Sequence, residues 1–249
     1  GRLRFNSDGS PLRFQSFGPK VYDGQTPVFD PVEDFFQTGL KVSNGVSFSG
    51  GSEKLTYHSS FNHLQHEGII PFSDWERFSA RLAGTLKVSE KFSVNAQVNF
   101  TNSGGLRPHS GDKSIMSSLS YHPTSFDIND YQNPDGSMKD YSNGIIDNPR
   151  YLAEFSQLQD NVNRLVGGMG FDYQLTDWLS INYVAGLDQY SDQRSRIVPP
   201  GIDLSSQTGG FIIDERINYR EFNSNLLVTA TKKLSDFNLS FTAGHSLTD

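Results

Sequence analysis

The chain contains no cysteine. That excludes a disulfide framework and any thiolate metal site. It also lacks a long apolar run: no stretch approaches the ~18 residues that a helical membrane span requires. Clusters of Lys and Arg are missing, and the net charge is −7. An acidic chain without a basic stretch is a poor partner for a phosphate backbone, so nucleic acid is not expected to bind. Apolar residues are scarce at 35%, and the mean hydropathy is −0.50. Such values usually indicate a water-soluble protein. They lose that meaning where only every second residue of a strand meets an apolar surround.

What the chain does have is alternation. Phe78, Ala80, Leu82, Gly84, Leu86 and Val88 interleave with Ser79, Arg81, Ala83, Thr85, Lys87 and Ser89. After Ser89-Glu90-Lys91, the residues Phe92, Val94, Ala96, Val98 and Phe100 alternate with Ser93, Asn95, Gln97, Asn99 and Thr101. Period-two patterning places the two sets on opposite faces of a strand. Each run reaches the ~9–11 residues with which a tilted strand crosses a bilayer. One face apolar or glycine and the other rich in Arg, Lys, Asn, Gln, Ser and Thr is the signature of a barrel wall with lipid outside and water inside.

The pattern recurs at Val42–Phe48, Leu55–Phe61, Leu165–Leu175, Leu179–Leu187, Leu226–Ala230 and Phe237–Ala243. The expected fold is therefore all-β: a segment of an antiparallel, up-and-down transmembrane β-barrel with eight strands in four tight hairpins. Residues 1–38 are expected to form an extracellular loop, 39–104 four strands, 105–160 a long extracellular loop and 161–249 four more strands. Short turns alternate with long connections at about 66–75, 105–160 and 193–213, as in outer-membrane barrels whose turns face the periplasm and whose loops face outward. Phe92, Trp178 and Phe237 open strands after tight turns and Tyr173 precedes one, which suits an aromatic girdle at the periplasmic edge. Strands of any kind are also enriched in aromatics.

The long loop invites a functional reading, because loops of this length are seldom mere connections. Asp147-Asn148-Pro149 offers a helix start, with Tyr151, Leu152, Phe155 and Leu158 on one face. A second short helix is expected near 113–121, grouping Ile115, Met116 and Leu119. Tyr121, Tyr131, Tyr141 and Tyr151 are the candidate contacts for a substrate or a covering protein, since tyrosine pairs an apolar face with a polar tip. The alternative is that they pack the loop against itself. Asp127, Asn129, Asp130, Asn133, Asp135 and Gly136 supply the oxygens calcium favours, yet without EF-hand spacing. Asn133-Pro134-Asp135-Gly136 reads more simply as a turn. No cofactor is otherwise expected. His58, His63 and His66 lie close in sequence, but His58 and His63 have opposite strand parity and cannot share a metal. Acid pairs such as Glu33 and Asp34 carry no catalytic spacing, and no nucleophile elbow or phosphate loop occurs, so an enzyme is not expected.

Several segments resemble the SusC/RagA family of TonB-dependent outer-membrane transporters. Ser16-Phe17-Gly18-Pro19-Lys20 followed by Asp23-Gly24-Gln25 is similar to that family's Trp-Gly-Pro-Lys-x-Asp-Gly loop, with Phe17 in the usual Trp position. Asp34-Phe35-Phe36-Gln37-Thr38-Gly39, Val46 through Lys54, Glu67-Gly68-Ile69-Ile70-Pro71, Asn148-Pro149 and Thr176-Asp177-Trp178-Leu179-Ser180 follow in the family's order. The resemblance implies a barrel of about 22 strands around a plug, in the outer membrane of a Gram-negative, Bacteroidetes-type cell. It implies import of glycans, or alternatively peptides, under a SusD-like surface lipoprotein, with energy delivered by TonB–ExbB–ExbD through the plug. The plug, the TonB box and a terminal aromatic-ended strand have no counterpart here. The amino terminus has no apolar signal segment. The expectation is thus an internal barrel piece that does not transport alone. A passive porin wall and a soluble β-sandwich binding module are the competing readings.

Overall fold

A computed structural model describes residues 28–111, 113–142, 144–202 and 209–249. The loop motif at 16–25 lies outside the described residues. Eight strands follow one another in a single antiparallel sheet, in the order of the sequence. They are β1 (Leu40–Gly51), β2 (Leu55–Glu67), β3 (Asp74–Ser89), β4 (Phe92–Pro108), β5 (Gln157–Thr176), β6 (Leu179–Val198), β7 (Phe211–Leu234) and β8 (Phe237–Thr248). β1 pairs only with β2 and β8 only with β7. Among the described residues the sheet therefore does not close on itself, and each outer strand leaves a row of unpaired backbone groups.

The hairpin turns are built as the sequence predicts. Glu90-Lys91, Asp177-Trp178 and Ser235-Asp236 each join two strands in two residues. Ser235 takes a left-handed conformation at φ 52°. At the first turn the Ser52 hydroxyl accepts from the Lys54 and Leu55 amides at 3.3 and 3.2 Å. Thr176 does the same for Leu179 at 3.1 Å. Such side-chain acceptors offer the turn amides the bonds that the ladder cannot.

At the other end the strands run farther than alternation alone suggests. β4 continues to Pro108 and β5 begins at Gln157, paired as Leu106↔Gln159 and Pro108↔Gln157. β6 extends to Val198 and β7 begins at Phe211. The expected loops at 105–160 and 193–213 shorten to 109–156 and 199–210. The cause is visible in register. Beyond Phe100, Leu165, Leu187 and Phe222 the formerly apolar face carries Asn102, Asn163, Gln189 and Arg220, so both faces are polar and periodicity vanishes while the ladder persists.

The sheet itself has no core. Leu82 is 53% exposed and Phe241 71% exposed, and no second layer covers the apolar face among the described residues. The buried apolar cluster lies instead at the long-connection end: Phe35, Ile115, Leu119, Ile128, Tyr151, Leu152, Ala153, Val198 and Ile202. Three short helices frame it: α1 (Pro31–Phe35), α2 (Ile115–Ser120) and α3 (Pro149–Phe155). Each has a side-chain cap. Asp30 accepts from the Val32 and Glu33 amides at 3.0 and 3.1 Å, Ser114 from Ser117 at 3.2 Å, and Asn148 from Arg150 and Tyr151 at 3.1 and 3.4 Å. Proline opens α1 and α3, where its missing N–H costs nothing. The sequence reading anticipated α2 and the start of α3 but treated α1 as loop. Leu158 does not join the face of α3, because the helix stops at Phe155 and Gln157 already pairs with Pro108.

Candidate functional site

From the tight turns up to Phe100, Leu165, Leu187 and Phe222 the two faces of the sheet have different chemistry. On the polar face, a single cross-strand row from β1 to β7 reads Gly45, Asn62, Ser79, Thr101, Arg164, Tyr190, Tyr219. Several of its charged side chains are engaged by neighbours. Arg164 grips Asp188 with two parallel bonds, Nε to Oδ1 at 3.0 Å and Nη2 to Oδ2 at 2.5 Å. Arg107 grips Asp160 in the same way, Arg194 donates to Asp192, and Arg81 donates to Gln97 at 2.9 Å. Bidentate geometry fixes orientation as much as it adds energy. Exposed pairs of this kind contribute at most about 1 kcal/mol each. The Asp160 side chain, however, is 4% exposed, so loss of Arg107 would strand a buried carboxylate. The sequence reading passed over these pairs. Their shared parity at 160, 164, 188, 192 and 194 was the signal available to it.

The apolar face forms a band. On β6 it runs from Leu179 to Leu187, roughly 27 Å along the strand and about 21 Å in height at a tilt near 40°. That is close to the ~25 Å apolar belt of membrane barrels. Near the tight turns, Phe92 meets Tyr173 and Phe171 at centroid separations of 5.8 and 6.4 Å, while Trp178 and Phe237 are exposed. At the far limit stand Phe61, Phe78, Phe100 and Phe222, an aromatic line that the sequence reading did not identify. His58 and His66 lie on the polar face and His63 on the apolar one, in contact with Glu76 at 2.5 Å. Among the described residues no three His, Asp or Glu side chains converge as a metal site would require.

The cap sorts the four candidate tyrosines. Tyr121 is exposed. Tyr131 is half-buried, donates to Glu154 Oε2 at 2.6 Å and lies 5.9 Å beneath the Arg150 guanidinium; burial, and then Glu154, pushes its pKa up. Tyr141 and Tyr151 turn into the cap. They are 7% and 4% exposed and donate inward to the Asp147 and Gly136 carbonyls at 3.3 and 3.1 Å. Burial raises both phenols, Tyr141 beyond the ordinary tyrosine range. An apolar ring with a satisfied hydroxyl is good core material, so in these two the self-packing alternative holds. The acidic stretch is likewise engaged in turns. Asp127 accepts from the Asn129 amide at 2.8 Å. Asp135 accepts from the Ser137 hydroxyl and amide at 2.6 and 3.0 Å, and these bonds depress its pKa. Gly136 donates to the Asn133 carbonyl at 2.9 Å, with φ 86°.

His122 is buried in the cap with its ring 4.5 Å from that of Tyr141, and neither ring nitrogen finds a hydrogen-bond partner. Burial lowers its pKa, opposed by the Pro123 backbone and the Asp127 carboxylate. A depressed histidine binds its proton more readily in the opened state, so cap stability should be full above pH ~6.5 and fall as pH drops through that value toward the folded pKa. Amide exchange of residues 113–142, corrected for intrinsic rates, should show more opening at pH 5 than at pH 7.5. His122→Phe should flatten the dependence, and identical slopes in the two proteins would refute it.

The geometry accords with known proteins. No family model matches the chain. It is 25% identical over 223 residues to TonB-dependent receptor P3 of Formosa agariphila, covering 86% of this chain and 22% of the receptor. It is 25% identical over 226 residues to TonB-dependent receptor P39 of the same organism, covering 89% and 20%. The chain thus spans about a fifth of the length of these relatives. Among solved structures, the RagAB peptide importer in its closed-closed state superposes over 91% of this chain and 27% of its own, with TM-score 0.66 and 17% identity. Its open-open state gives 0.65 and 20% over the same shares. With matches to two such receptors across most of the sequence and the same succession of strands and loops, this chain is similar to a segment of the β-barrel of TonB-dependent receptors.

Proposed function

We propose that the chain forms part of the wall and outer vestibule of an outer-membrane importer of oligosaccharides, in a Gram-negative, Bacteroidetes-type cell. The apolar band meets lipid, the polar face lines the lumen, and the cap on 109–156 stands at the extracellular mouth beneath a SusD-like lipoprotein. TonB–ExbB–ExbD would act through a plug supplied by other parts of the protein. The observation that carries the reading is the separation of the faces together with the placement of the buried apolar packing, among the described residues, at the long-connection end of the strands. Exposed Tyr121, Met116 and Phe126 are the cap residues available to a covering protein. Peptide is the second reading, supported by the similarity of the fold to that of the RagAB peptide importer.

Two measurements on native cells test this. An antibody against residues 109–156 should find the protein in the outer membrane, far larger than 27.8 kDa, and should co-precipitate a surface lipoprotein. Deletion of the gene should abolish growth on particular oligosaccharides as sole carbon source. A soluble band with unchanged growth would overturn the reading, and a defect confined to peptide use would select the second one.

A further inference from the structure

We propose that Tyr190 and Tyr219, with Arg164, Asp188 and Glu221 around them, form a binding subsite for a neutral oligosaccharide on the polar wall. The proposal rests on the reading of that wall as a transport lumen. The two rings are cross-strand neighbours, stacked at 5.1 Å between centroids and 19° between planes. Tyr219 is 40% exposed. Elsewhere in the strands, this face carries aromatics only at Trp75 and Phe211 among the described residues. Trp75 lies under Arg77 and Phe211 under Arg196 at the cap end. The tyrosine pair stands apart from both, eight residues along β6 and β7 from Val198 and Phe211, where the cap begins. That is roughly 27 Å along the strands. No cap side chain needs it for packing.

The surroundings select the ligand. Arg164 shares the tyrosines' row, and Asp188 and Glu221 occupy the next. The Arg164 fork is already filled by Asp188, and Glu221 accepts from the Tyr219 hydroxyl. One cation against two carboxylates leaves the patch net negative, which disfavours sulfated or uronate sugars and peptide carboxyl termini. A flat apolar ring bordered by oriented acceptors is suited to a pyranose, whose C–H face stacks while its hydroxyls donate. A cross-strand aromatic pair also steadies a sheet by about 0.2–1 kcal/mol, so the test must separate binding from folding.

The full-length protein, purified in detergent, would be titrated calorimetrically with neutral gluco-, manno- and xylo-hexaoses, a sulfated hexaose and an acidic heptapeptide. At least one neutral hexaose should bind. Tyr190→Ala and Tyr219→Ala should each weaken it about tenfold, while the Phe variants keep the stack and the affinity. Heat-modifiable migration confirms that each variant is folded. Unchanged affinity in the Ala variants, or no binding of any neutral hexaose by the wild type, overturns the subsite. The lumen reading fails separately: a hydrophilic maleimide applied to cells should label Ser79→Cys and not Leu82→Cys, and the reverse would remove the wall itself.

Discussion

Leu82→Arg in the full-length protein should cost about 2–4 kcal/mol, the penalty for a cationic side chain at the bilayer midplane. Leu82 sits at the middle of the apolar band on β3, between Phe78 and Leu86, and its register neighbours are Ser59 and Val98. It is 53% exposed with nothing packed over it among the described residues. In a water-soluble sheet, such a position would tolerate arginine to within about 0.5 kcal/mol. The prediction therefore divides a lipid-facing wall from an aqueous one, which sequence could not do, since a protein core would reject charge too. Depth supplies the control. At the aromatic limit, Phe78→Arg should lose only about 0–1 kcal/mol from its charge. Ser79→Glu lies on the polar face between Arg77 and Arg81 and should be nearly neutral. Urea unfolding in liposomes, followed by heat-modifiable migration, reads all three. Equal effects at Leu82 and Ser79 would contradict the assignment of faces.

The legible part of this fold was the part that obeys one period. Where a strand crosses lipid, every second residue must be apolar, so Phe78 through Val88 announced both strand and face. Above the band both faces meet water, and Gln159, Asn161, Asn163, Gln189, Ser191 and Gln193 look like loop while holding full ladder register. Their backbone pairing depends on the strands beneath them, a constraint that local composition does not carry. The candidate site divided similarly. Polarity of the wall was evident, but the grip of Arg164 on Asp188 joins positions 24 residues apart and depends on the register of one hairpin. The loop tyrosines were read by chemistry alone. Their fates diverged because Tyr141 and Tyr151 have carbonyls within reach in the cap interior, whereas Tyr121 ends α2 on the outside. Helix α1 was missed because five residues show no periodicity, although Asp30-Pro31 was a sufficient start signal.

Leu152→Ala should destabilise the cap by about 2–5 kcal/mol, the cost of a buried Leu truncation that leaves a cavity. Leu152 is fully buried in α3 and belongs to a cluster drawn from four places in the chain: α1, the 109–156 loop, the end of β6 and Ile202. Among the described residues no other buried apolar cluster serves the cap, so the loss has little to absorb it. Phe35→Ala should be at least as costly, about 3–5 kcal/mol, and would undock α1. Gln157 ties α3 to the neighbouring connection, donating to the Ala153 carbonyl at 2.8 Å and to Phe72, so loosening should spread to residues 68–73. It should not reach the tight turns, since the sheet is held by its own ladder and meets the cap at the opposite end, where Val198 and Phe211 pack and Gln157 and Arg196 hydrogen-bond. Amide exchange resolved by segment distinguishes these cases. Faster exchange in 113–155 and 68–73, with unchanged protection in β3, β4 and β5, is the expected result. A uniform rise across the strands would mean that cap and wall fold as one unit.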